Sequence, residues 1–217
     1  MKKTIFTVLA MCFIFTAVSA QENEPNPTMG FSKWQVRLRA IAIVPNESAT
    51  IPVIGGDVQI SNAYVPELDF TYFFNKNLAA ELILATSKHD VKAISTAAGD
   101  IPLGDVWLLP PTLTLQYHFD GDVVHPYFGA GLNYTLFYNE SAGPVADRVS
   151  YDNALGFAFQ MGFDIDLNDI WFINIDAKYL LLNTDATVNA TSALGATVVA
   201  DVDINPFIAG IGFGMRF

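Results

Sequence analysis

Beyond residue 20 the chain has no cysteine, few basic residues and no apolar run long enough to cross a membrane as a helix. Each shortage narrows the field. The single cysteine is Cys12, so a chain cut after Ala20 carries no disulfide and no thiol for metal or redox chemistry. Lys2 and Lys3 are lost with the same leader, and nine basic residues then face 22 acidic ones, a net charge of -13. That balance excludes nucleic acid as a partner. Hydrophobic residues make up 52% of the chain and charged ones only 15%. With no apolar stretch of about 18 residues after the leader, a greasy exported chain of this kind points to strands.

Residues 1–20, MKKTIFTVLAMCFIFTAVSA, have the order of a secretory signal: two lysines, an apolar core from Ile5 to Val18, then Ser19 and Ala20. The core is short against the roughly 20 residues that a spanning helix needs. Residues 21–33, with Glu22, Glu24, Pro25, Asn26 and Pro27, read as a periplasmic lead-in to a domain covering residues 34–217.

The stretch at the C-terminus, VDINPFIAGIGFGMRF, shows what that domain is. Phe207, Ala209, Ile211, Phe213, Met215 and Phe217 fall on one face, and Ile208, Gly210, Gly212, Gly214 and Arg216 on the other. The same alternation predicts strands over residues 34–44, 64–74, 78–86, 111–119, 125–138, 154–166, 171–182 and 202–217. Short links at 75–77, 120–124 and 167–170 alternate with long ones at 45–63, 87–109, 139–153 and 183–201. The expectation is an all-β fold, an eight-stranded antiparallel transmembrane β-barrel with short periplasmic turns and long extracellular loops. A soluble barrel of the lipocalin type fits less well, since faces rich in glycine and charge would then have to meet solvent beside large apolar ones. Trp34, Trp171, Tyr72 and Phe119 at one height and Tyr64, Tyr138 and Tyr179 at the other suit two aromatic girdles.

Eight strands enclose a space that side chains can fill. Sorted by height, the inward positions give a polar floor of Arg37, Arg39, Glu67, Asp69, Glu81, Gln116, His118, Gln160, Asp164, Asn174, Asp176, Lys178 and Arg216. Buried charges of both signs are expected to pair and close the barrel; ion conduction is the alternative. Above them Ile41, Ile43, Val65, Ile83, Phe137, Leu180 and Leu182 make an apolar funnel, the lining that suits a small hydrophobic ligand. Trp107 precedes Pro110 in the loop over the funnel mouth, as a lid or a ligand contact. A ligand above a closed floor has to leave sideways. Pro66 and Pro111, which have no N–H to give a ladder, are the candidates for that exit; Pro110 and Pro206 read equally well as strand ends.

His89, His118 and His125 form no catalytic or metal-binding spacing, and there is no G-x-S-x-G sequence. Asp164, Asp166, Asn168 and Asp169 lack the glycine and closing glutamate of a calcium loop. No catalytic residue, metal or cofactor is expected. The outer loops are acidic, a solvated face that also allows cation-bridged contact with lipopolysaccharide.

Four segments resemble the OmpW family of small outer-membrane barrels: VRLRAIAIVPNES, GDVWLLPPTLTLQYHF, HPYFGAGLNYTLFY and INPFIAGIGFGMRF. The resemblance implies a barrel in the outer membrane of a Gram-negative cell with a hydrophobic channel, carrying small hydrophobic molecules inward with lateral exit. It also implies surface contacts with phage or colicin, and a terminal Phe217 read by the outer-membrane assembly machinery. A structural or receptor barrel with a filled lumen and no transport is the other reading; an outer-membrane enzyme is a third.

Overall fold

The computed structural model describes residues 32–51, 55–97 and 99–217. The expected signal, and all of the lead-in but residues 32 and 33, lie outside the described residues. In chain order the strands begin with β1 (Trp34–Val44), β2 (Ser48–Thr50), β3 (Asp57–Ile60), β4 (Ala63–Phe73) and β5 (Leu78–Ala85). There follow β6 (Ser87–Thr96), β7 (Gly99–Leu109), β8 (Thr112–His118), β9 (Val124–Ala142) and β10 (Arg148–Tyr151). The last are β11 (Ala154–Asp166), β12 (Trp171–Leu181), β13 (Asn183–Ala190), a short helix α1 (Thr191–Leu194), β14 (Ala196–Asp203) and β15 (Phe207–Arg216).

Eight of these form a closed antiparallel wall in the order β11-β12-β15-β1-β4-β5-β8-β9, with β9 returning to β11. Alternation in β11 shows why the wall belongs in hydrocarbon. Leu155, Phe157, Phe159, Met161 and Phe163 are all exposed on its outer face, while Ala154, Gly156, Ala158, Gln160 and Gly162 are buried. Large apolar side chains pointing outward all round a closed sheet are stable only where the surrounding solvent is lipid.

Glycines on the inner face let large polar side chains lie across the lumen. At the closing seam Arg39 stands opposite Gly212 of β15. A Cβ at Gly212 would meet the Leu38 carbonyl oxygen at 2.1 Å and the Arg39 Cα at 2.6 Å. Glycine is therefore required for the seam to close at this height.

The structure differs from the sequence expectation chiefly in the long connections, which are not loops. Residues 87–109 form the hairpin β6–β7, β9 runs on to Ala142, and β13–β14 make a second tall hairpin. The reason is the same period of two. In β6, Ser87, His89, Val91 and Ala93 are buried while Lys88, Asp90 and Lys92 are exposed. The sheet extends past the wall as β9-β7-β6-β3, and β10-β13-β14-β2 form a separate four-stranded sheet. The expected last strand is also shorter: Val202 and Asp203 end β14, and β15 starts at Phe207. Between them Asn205 takes φ 37° and Pro206 brings no N–H, which breaks the ladder.

Candidate functional site

The inner face of the wall holds a polar plug. Arg37 donates from Nη1 to Glu81 Oε1 at 2.9 Å and from Nη2 to Asp164 Oδ2 at 2.9 Å, and its Nη1 lies 3.3 Å from Asp69. Arg39 pairs with Glu67 at 2.9 Å, Asp69 at 2.8 Å, Glu81 at 3.2 Å and Asp176 at 3.4 Å. Lys178 Nζ reaches Glu67 at 2.7 Å and Asp176 at 2.8 Å. The amides of Gln116 and Gln160 donate to the other oxygen of Glu81 at 2.6 and 2.8 Å. Arg37, Asp69, Glu81 and Gln116 are each 0% exposed, so this network fills the lumen rather than lining a water path. Buried charges are tolerable on such terms because each cation meets several carboxylates.

Of the expected floor, Arg216 stands apart from that network and His118 joins it only through Gln116. Arg216 binds Asp166 at 2.6 Å and lies over the Phe172 ring at 4.5 Å, near the turn end. His118 bonds Gln116 Oε1 at 3.0 Å and stacks on Tyr127 at 4.9 Å. Tyr127 and Phe172, both buried inward, join the plug in addition to the expected floor residues. Tyr127 donates to Asp176 at 2.7 Å and accepts from Asn174 at 3.0 Å. The period of two carried the signal for both: Phe172 shares the face of Asn174 and Asp176, and Tyr127 that of Gly129 and Asn133.

Above the plug comes a packed apolar layer of Ile41, Ile43, Ala63, Ala158, Leu180 and Ile208, with Val65 and Ala85 against it. Above that layer the tall hairpins enclose a chamber of about 110 Å³. Ile43, Leu180, Leu182 and Phe137 contribute to its base, as the sequence suggests, but most of its wall comes from the segments expected to be loops. Val58, Val91, Val106, Ala186, Ala200 and Val202 are all buried there. Of the other expected funnel residues, Ile41 and Val65 belong to the layer beneath, and Ile83 is buried inside the wall. Trp107 does not cover the mouth. It lies within β7 between Val106 and Leu108, which face the chamber, so its ring falls on the other face, 6.2 Å from Tyr138.

Among the described residues the chamber's polar side chains are few: Ser87, His89, Thr135, Tyr151 and Thr184. His89 Nδ1 lies 2.7 Å from the Ser61 carbonyl and Nε2 lies 2.9 Å from Ser87 Oγ. Burial in the β6–β7 hairpin holds the His89 imidazole below its ordinary pKa.

The wall beside the chamber is interrupted at the two prolines. The β4–β5 ladder ends at Glu67 opposite Ala85, with Pro66 next in line, and pairing resumes only where Ser61 bonds Asp90. The β5–β8 ladder ends at Ile83 opposite Thr112, with Pro111 next, and resumes at Ser87 opposite Leu108. Thr86 therefore has a ladder neighbour on neither side; its hydroxyl instead contacts the Leu108 carbonyl and the Tyr138 hydroxyl. On the outer surface Ala40, Ala42 and Ala209 leave an open groove bordered by Tyr64, Pro66 and Phe213.

A closed eight-stranded barrel with an apolar outer belt, a charged plug and tall outer hairpins is a transmembrane barrel of the outer-membrane type. The family model described as OmpW family matches residues 32–217, and the chain belongs to that family. It is 41% identical to the uncharacterized outer-membrane protein y4mB of Sinorhizobium fredii, over 87% of this chain and 81% of that one. It is 34% identical to outer membrane protein W of Vibrio cholerae, over 84% and 87%. It is 30% identical to the dibenzothiophene metabolism operon protein PahQ of Pseudomonas aeruginosa, over 100% and 99%. The crystal structure of the outer membrane protein OprG from Pseudomonas aeruginosa superposes with a TM-score of 0.79 at 30% identity, covering 86% of this chain and 96% of that one. The protein is an outer-membrane barrel.

Proposed function

We propose that this barrel takes up small hydrophobic molecules from outside the cell and releases them sideways into the outer membrane. The observation that carries the reading is the order of the layers: an apolar chamber above, a plug with no solvent access below, and a wall whose ladders stop at Pro66 and Pro111 between them. A solute in the chamber meets apolar side chains, gains the favourable transfer of its own surface out of water, and has no aqueous way down. The unpaired stretch around Thr86 is the part of the wall that separates without breaking ladder bonds. The outer groove beside Pro66 offers the released solute an apolar landing. The operon name of PahQ supports the chemistry, because dibenzothiophene is a fused aromatic sulfur heterocycle. Binding and passage, without catalysis, is the role assigned to this chain, with residues 1–20 as its export signal.

The test uses intact cells, whose lipopolysaccharide slows hydrocarbon entry. Uptake of radiolabelled naphthalene is compared between cells with the barrel, without it, and with the Pro66→Thr variant, which restores a ladder donor on the β5 side of β4. The wild type should raise the initial rate and the variant should lose most of that gain. Equal uptake with and without the barrel would favour a filled structural or receptor barrel instead.

A further inference from the structure

Three of the chamber's four hydroxyl groups, those of Ser87, Thr135 and Thr184, share a property that the word apolar hides. A serine or threonine hydroxyl donates one hydrogen bond and accepts two, and a carbonyl oxygen only accepts. Thr184 Oγ1 donates to the Asp152 carbonyl at 2.6 Å, so its proton is taken. Thr135 Oγ1 donates at 2.7 Å to Asn133 Oδ1. That amide is held the right way round because Asn133 Nδ2 donates to the Pro110 carbonyl at 3.2 Å. His89 Nδ1 faces the Ser61 carbonyl and must carry the proton there, which leaves Nε2 of the neutral ring as an acceptor. Ser87 Oγ, 2.9 Å from that Nε2, therefore gives it its only proton. Burial, by lowering the His89 pKa, favours the neutral ring on which this depends.

Ser87, Thr135 and Thr184 are 2%, 0% and 4% exposed, and all three keep lone pairs and no proton for a guest. The remaining polar lining residue, Tyr151, is half-buried with its ring stacked on Phe137 at 5.5 Å. We propose that the chamber discriminates by hydrogen-bond polarity. Among neutral small hydrophobic molecules it prefers those whose polar group donates, such as phenols and N–H heterocycles, over isomers whose polar group only accepts. A guest acceptor placed against these hydroxyls would be desolvated with nothing to bond, and a guest donor would be satisfied. The inference rests on the reading of the chamber as a solute site and specifies what that site selects.

The test pair is p-cresol and anisole, isomers of one formula that differ in whether the oxygen carries a proton. Binding to the barrel in phospholipid nanodiscs is measured by calorimetry, with protein-free nanodiscs subtracted and toluene as the purely apolar reference. The wild type should bind p-cresol about threefold to tenfold more tightly than anisole, the range expected of one neutral hydrogen bond. His89→Phe removes the acceptor of the Ser87 proton, so anisole should gain and the ratio should fall toward one. Thr135→Val and Thr184→Val keep side-chain shape while deleting an acceptor, and at least one should lower the ratio if His89→Phe fails to fold. Tyr151→Phe should leave the ratio unchanged. Equal binding of the two isomers by the wild type overturns the proposal and leaves the uptake reading standing. A preference untouched by His89→Phe, Thr135→Val and Thr184→Val overturns it as well. If p-cresol, anisole and toluene all fail to bind, the solute-site reading falls together with it.

Discussion

Replacing Glu81 by glutamine tests the plug at its centre. Oε1 of Glu81 takes bonds from Arg37 at 2.9 Å and Arg39 at 3.2 Å, and Oε2 takes bonds from Gln116 at 2.6 Å and Gln160 at 2.8 Å. A glutamine has one acceptor oxygen for these four donors. If that oxygen stays with the arginines, its own NH2 group points at two amide donors. Turning Gln116 or Gln160 over does not help, because Gln116 Oε1 is held by His118 and Gln160 Oε1 by Thr114. The substitution therefore weakens two charge-assisted bonds and replaces two more with donor–donor contacts at 0% exposure. Removing one partner from a buried charged network costs about 3–5 kcal/mol. Arg37 and Arg39 retain Asp164, Asp69 and Asp176, which places the expected loss toward the lower end. Urea unfolding of the refolded barrel in phospholipid vesicles, followed by tryptophan fluorescence, measures it. A variant within about 0.5 kcal/mol of the wild type, the range of an ordinary surface change, would refute the account of the plug as a mutually dependent network.

Three further expectations follow from other parts of the molecule. Gly162→Ala places a Cβ 2.5 Å from both the Tyr127 hydroxyl and the Ile175 carbonyl oxygen, overpacking that should cost about 1–3 kcal/mol in the same unfolding assay; an unchanged midpoint contradicts it. Leu182→Asp puts an unpaired carboxylate into the chamber wall, well away from the plug, at a residue 3% exposed; hydrocarbon uptake should be lost while heat-modifiable gel mobility still reports a folded barrel, and retained uptake would count against the chamber. His89 has its pKa depressed by burial, so on acidification the unfolded hairpin binds the proton first. The stability it contributes is complete above the ordinary histidine value of about 6.5 and is lost as pH falls through the lower folded value. Hydrogen exchange of β6–β7 amides, corrected for intrinsic rates, should show less protection at low pH; equal protection across the range contradicts the shift.

The wall was legible because hydrocarbon outside and packed charge inside impose opposite demands on successive residues. β1 and β11 fall where the alternation of Arg37 and Arg39 with Leu38, or of Phe157 and Phe159 with Ala158, places them. The plug was legible for the same reason, since Arg37, Glu81 and Asp176 occupy inward positions at one height. The chamber was largely hidden. Its lining in β6, β13 and β14 also alternates, with Val91 and Ala93 or Val198 and Ala200 turned inward. The aspartates, glycines and prolines between these residues carry the signature of loops, and that signature outweighed a weaker period of two. Trp107 follows the same rule: once β7 is a strand, its neighbours Val106 and Leu108 take the chamber side and its ring the other.

Lateral release is the central claim, and the scarcity of cysteine makes it directly measurable. With Cys12 inside the expected signal, Tyr64→Cys and Lys88→Cys would supply the only two thiols of the exported chain. Both positions are exposed, and the register of Glu67 with Ala85, continued three residues past its end, sets them on opposite banks of the unpaired stretch beside Pro66. Bridging them with a short bifunctional thiol reagent that contains a reducible link should abolish the barrel-dependent uptake of naphthalene by intact cells, and reduction should restore it. Uptake that continues at the unbridged rate, with the bridge verified by mass spectrometry, would contradict passage through the wall.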